Sequence, residues 1–149
     1  MKIAAISRGG VLRVDAHTRA GVFVLLEQVD VAFEGGGFFR IPRGFPFDGA
    51  SIPPRARSVI QSLTTAGSVL YVVHDAAYCT GATWISPKGH RRAVSRALAD
   101  RMTLALARFL GLAADDRLEV YAALRLGGGG SYQQRAITQT LGEWLRAAA

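Results

Sequence analysis

The chain has 149 residues, half of them hydrophobic and 19% charged, and it carries a net charge of +7. That length suits one domain around one core, and that balance excludes a disordered tail. No apolar run is long enough to span a bilayer, no secretory leader pattern opens the sequence, and the single cysteine, Cys79, excludes an internal disulfide framework or a cysteine-rich zinc site.

In chain order, the first third reads as β structure. Met1 to Ile6 is a first strand, followed by short β-branched or aromatic runs at Val11–Val14, Val22–Leu26, Val29–Phe33 and Phe38–Pro42. Gly9-Gly10, Gly21 and Gly35–Gly37 punctuate them, and Asp30 is expected on the solvent face of its strand. A stiff, turn-rich loop follows from Pro42 to Pro54, and Pro53 and Pro54 suit the first turn of a short helix.

The remainder reads as helical. Ser68 can cap a helix running to Tyr78 or Cys79, with Gly81 as its stop. Ser86-Pro87 has the form of a cap and first position for a long helix ended by Gly111. Asp115 can cap a third helix through Leu126, and Gly127–Gly130 breaks the chain. Ala136, Ile137, Leu141, Trp144 and Leu145 then make one apolar stripe on a closing helix. The expectation is a single α+β domain: residues 1–42 a small antiparallel sheet, 43–67 the shaped loop and short helix, 68–149 packed helices.

Polar residues inside the apolar elements are the candidate chemistry. His74 and Tyr78 share one face of their helix, Tyr71 and Asp75 an adjacent one, and the surrounding residues leave little polar surface. Asp100 shares a face with Ala93, Ala97, Leu104 and Ala107, where small residues let another helix approach. A carboxylate there needs a partner. His74 is the expected one, and an Asp100–His74 hydrogen bond would fix the imidazole tautomer and leave its other nitrogen as a base. Arg96, Arg101, Arg57 and Arg125 are the alternative partners, in which case His74 would only donate to a backbone carbonyl and have a structural role.

Asp48, before Gly49, either closes its own turn or offers a further carboxylate to a metal beside His74; Ser51 can cap the next helix. Cys79 reads as a packing residue, and His90 and His17 as solvated. The basic residues are spread along the chain, with one modest cluster at Lys88, His90, Arg91 and Arg92 and no nucleic-acid-binding motif.

The order Ile41-Pro42-x-Gly44-Phe45-x-x-Asp48-Gly49-Ala50-Ser51-Ile52-Pro53, then His74-Asp75-x-x-Tyr78, Ala99-Asp100, Tyr121 and Gly127-Gly128 resembles a phage- and prophage-associated domain of unknown function, from about Val29 to Tyr132. More loosely, His-Asp-x-x-Tyr on one helix and Ala-Asp on the next looks like the core of the calcium-dependent phospholipases A. In those enzymes the histidine activates water, the adjacent aspartate binds calcium and the later aspartate orients the histidine. The resemblance implies these roles for His74, Asp75 and Asp100, with Tyr78 supporting Asp100. The glycine-rich calcium loop of those enzymes, Tyr-x-Gly-x-Gly, is absent from this sequence.

Two readings follow. In the first, a small hydrolase uses His74, oriented by Asp100, as general base on a lipid or cell-envelope substrate. Asp75, with Asp48, would then hold Ca2+ or Mg2+, hard cations that carboxylate oxygens suit. In the second, the cluster is structural and the protein is a non-enzymatic virion or accessory protein. It would be made in the host cytoplasm without a signal peptide, and would dock to other phage structural proteins or an anionic envelope surface. Accessibility of His74 separates the two.

Overall fold

The computed structural model describes residues 1–10, 12–17, 22–47, 64–127, 132, 133 and 137. Asp48, the rest of the loop to Pro54 and the short helix after it lie outside these residues, as does the closing helix apart from Ile137. The strands are β1 (Ile3–Ile6), β2 (Val14–His17), β3 (Val22–Leu25), β4 (Val29–Phe33), β5 (Phe38–Ile41), β6 (Pro46–Phe47), β7 (Thr83–Ile85) and β8 (Arg91–Ala93). The helices are α1 (Thr64–Tyr78), α2 (Arg96–Phe109) and α3 (Ala114–Gly127). The architecture is α+β, as the sequence implies.

The larger sheet is antiparallel, in the order β1-β4-β5-β7-β8, and a smaller one runs β2-β3-β6. Alternation along β4 explains its facing: Val29, Val31 and Phe33 are buried, and the residues between them are half-exposed. Asp30 on that outer side accepts two hydrogen bonds from Arg40, its cross-strand partner, at 2.8 and 2.9 Å. In β1, a bulge between Ile3 and Ala5 lets Ile3 and Ile6, three apart, both reach the core.

The hairpin β7–β8 corrects the expected long helix from Ser86. Ser86 and Pro87 open a tight loop: the Ser86 hydroxyl accepts from the His90 N–H at 3.1 Å, and the Ser86 carbonyl accepts from the Gly89 N–H at 2.9 Å. Gly89 closes the loop at φ +76°, a conformation glycine adopts without strain. The hairpin is held because β5 would otherwise be an open edge. Trp84 pairs opposite Phe39 and stacks on Phe33 with ring centroids 4.8 Å apart. Gly37 fits this junction as no other residue would, since a Cβ there would lie 2.8 Å from the Ile85 carbonyl oxygen.

Helix α2 therefore starts at Arg96, capped by the Ser95 hydroxyl, which accepts from the Leu98 N–H at 3.2 Å. Its end agrees with the sequence, because Gly111 follows at φ +86°. Helix α1 begins at Thr64, ahead of Ser68, and α3 at Ala114, so Asp115 sits in the first turn and not at the cap. One core joins Phe39, Ile41 and Val31 of the sheet to Leu70, Val73 and Ala76 of α1 and to Met102 and Leu106 of α2.

Candidate functional site

Helix α1 is apolar nearly all round, and Val69, Leu70, Val72, Val73, Ala76 and Ala77 are all buried. His74 and Asp75 are carried into the interior with them. His74 is 0% exposed, Asp75 8% and Tyr78 3%. Opposite, α2 presents Ala99, Asp100, Thr103 and Ala107, and the small residues let the two helices pack closely.

Asp100 is also 0% exposed, and both of its oxygens are occupied. The Tyr78 hydroxyl donates to Oδ1, and Arg125 Nη1 donates to Oδ2 at 2.7 Å. One carboxylate thus ties α1, α2 and α3 together. Arg96 completes the junction: its Nη2 donates to the Leu124 and Arg125 carbonyls at 3.1 and 2.7 Å, satisfying acceptors that the last turn of α3 leaves free. Beyond α3 the chain returns to the same place. The Tyr132 hydroxyl donates to the Val94 carbonyl at 2.5 Å, and its ring stands edge-on to Tyr78 at 5.5 Å.

The expected His74–Asp100 hydrogen bond does not form. Tyr78, one turn along from His74, has the longer reach to α2 and takes the acceptor. Its ring lies against the imidazole with centroids 4.2 Å apart, so it touches both groups that were expected to touch each other. His74 Nδ1 instead lies 3.4 Å from Asp75 Oδ1, a long contact, as expected of adjacent helical residues whose side chains diverge. His74 Nε2 is buried with no hydrogen-bond partner among the described residues. The sequence offered Arg96 and Arg125 only as alternative partners for Asp100. Arg125 is that partner, Arg96 instead binds the end of α3, and Tyr132 was missed. A tyrosine just past the glycine run was the available sign that the tail folds back.

Burial, and next the hydrogen bond to Asp100, push the Tyr78 phenol up from 10.0 to about 12. An unfolded phenol ionises near 10, so this contribution to stability is complete below pH 10 and is lost as pH climbs towards 12. Urea midpoints measured through that window should fall more steeply for the native protein than for Tyr78→Phe. Parallel curves would mean that Tyr78 is not the buried donor described here.

Among the described residues no group of three or more His, Cys, Asp or Glu side chains gathers as metal donors, and Asp48 lies outside them. The Asp75 carboxylate is engaged with His74, and Asp100 already faces a guanidinium.

A family model described as "Protein of unknown function (DUF1353)" matches residues 23–124. The chain belongs to that family. The DUF1353 span contains His74, Asp75, Tyr78 and Asp100 with both helices that carry them, and it ends one residue before Arg125. No curated protein and no solved structure matches the chain. The family description assigns no chemistry, so the geometry has to carry the functional argument.

Proposed function

We propose that this DUF1353 protein is a non-catalytic, phage-associated virion or accessory protein that acts by docking, and that its His74–Asp75–Tyr78–Asp100 cluster fixes how the helices pack. The complete burial of His74 carries this reading, because a general base must reach water and substrate. Asp100 adds support, since an orienting carboxylate would be shared with the histidine and here is saturated by Tyr78 and Arg125. The motif order quoted above supports the phage association. An arginine-rich surface with net charge +7 suits acidic partners on the particle. No helix among the described residues is long and apolar enough to cross a membrane.

One observation favours the hydrolase reading instead. The Tyr78–Asp100 hydrogen bond is the supporting contact that the phospholipase-like arrangement calls for, and His74 Nε2 beside it has no partner among the described residues. On that reading Asp75, with Asp48, holds calcium or magnesium, and His74 activates water on a lipid ester or cell-envelope bond.

Thermal melts with millimolar calcium or magnesium, run beside a fluorogenic phospholipid assay, separate the two. Docking predicts no shift in Tm and no hydrolysis that depends on His74. The hydrolase reading predicts stabilisation of about 2.7 kcal/mol at metal near a hundred times its Kd. That shift would be abolished by Asp75→Asn, and turnover would be lost in His74→Asn. A metal-linked shift with His74-dependent turnover would overturn the docking reading.

A further inference from the structure

Away from the buried cluster, α2 and α3 leave a recess of about 490 Å³ between them. Leu104 of α2, Leu118 of α3 and Met1 give it an apolar lining, and Arg101, Arg108 and Arg117 stand around that lining. Leu118 is 65% exposed and Met1 53%, more than most large apolar residues among those described. On α2 the residues Arg101, Leu104 and Arg108 are spaced by three, four and seven, so they share one face.

None of the three arginines forms an ion pair among the described residues, a state they share with Arg91, Arg92 and Arg96, but of these only Arg101, Arg108 and Arg117 are gathered around that apolar recess. Arg117 is held in place by its own hydrogen bond, donating from Nη1 to the Leu112 carbonyl at 2.7 Å. Exposed leucine beside unpaired, partly positioned cations marks a binding surface better than a solvated one.

We propose that this groove receives an acidic amphipathic helix of a partner protein. Its apolar stripe would lie on Leu104, Leu118 and Met1, with flanking carboxylates meeting the three guanidinium groups. Shape favours a helix over a bilayer: the surface is concave, so a flat membrane could touch Leu118 while leaving Leu104, half-buried between the helices, uncovered. Arg101 and Arg108 lie two turns apart, about 10 Å along the axis, and so match carboxylates seven apart on the partner. The inference rests on the docking reading and names the partner's chemistry.

The test uses the full chain and a labelled synthetic peptide with leucines at i, i+3, i+4 and i+7 and glutamates on both flanks, followed by fluorescence anisotropy. Controls are a scrambled peptide of the same composition and phosphatidylglycerol vesicles. The patterned peptide should bind at least about tenfold tighter than the scrambled one, a difference of about 1.4 kcal/mol. The double variant Arg101→Glu/Arg108→Glu and the variant Leu118→Asp should each remove that advantage. All three positions are exposed, so native melting curves are expected for both variants. Equal binding of the two peptides, or peptide binding unchanged in the variants, would overturn the proposal. Vesicle binding lost in the same variants, with no peptide binding, would assign the groove to an anionic membrane and also overturn it. Metal-linked hydrolysis would instead sink the docking reading, whatever the peptide does, so the two failures stay distinct.

Discussion

Asp100→Ala should destabilise the protein by about 2–4 kcal/mol. The carboxylate is completely buried, and its removal strands the Tyr78 hydroxyl, itself only 3% exposed, without an acceptor. An orphaned buried hydroxyl costs about 1–3 kcal/mol, and the lost charge-assisted bond to Arg125 adds to that. The upper range for breaking a buried ion pair is not reached, because the Arg125 side chain is 44% exposed and can turn to water. For a chain of this length the loss lowers Tm by about 6–12 °C. Asp100→Asn keeps an acceptor for Tyr78 but presents its amide to a guanidinium, so it should fall between the two. Urea denaturation of the three proteins gives the order directly. An unchanged midpoint for Asp100→Ala would remove the three-helix junction from this account.

Phe39→Ala should cost about 3–5 kcal/mol, the largest loss expected from any single truncation considered. Phe39 is 0% exposed on β5, paired with Val31 on one side and Trp84 on the other. Truncation leaves a cavity that the backbone cannot close, because both neighbouring strands are fixed by their own pairing. Phe109→Ala is the control: that ring is 44% exposed on the last residue of α2, and its loss should stay within about 0.5 kcal/mol. A Phe39→Ala midpoint close to that of the control would mean that the sheet does not close over the core as described.

Local chemistry was enough for some of this fold. Alternation along Val29–Phe33 and the β-branched or aromatic runs from Val22 and Phe38 already read as strands, and Gly111 already read as a helix stop. Ser86-Pro87 shows where local reading ends. The same dipeptide suits a helix start or a hairpin loop, and what decides is the edge of β5, which needs a partner far away in sequence. The site divides in the same way. A carboxylate inside the apolar run of α2 announced that Asp100 is buried and paired, but the expected face was misplaced. Ala97 is exposed and Leu104 lines the outer recess, while Ala99, Thr103 and Ala107 are buried with Asp100. Which group pairs with it depends on where the end of α3 comes to rest, and nothing near position 100 encodes that. The complete burial of His74 was equally invisible, since a polar residue in an apolar helix can line a cleft or lie sealed with the same neighbours in sequence.

Sealing of His74 is the central claim, and chemical modification reads it most directly. Diethylpyrocarbonate carbethoxylates neutral imidazoles that solvent can reach, and peptide mass spectrometry reports each histidine separately. His90 is exposed on the β7–β8 loop and serves as the internal standard. The account predicts that native protein is modified at His90 while His74 stays unmodified until urea unfolds the chain. Modification of His74 in the native protein at a rate comparable to His90 would place it in an open cleft and contradict the account.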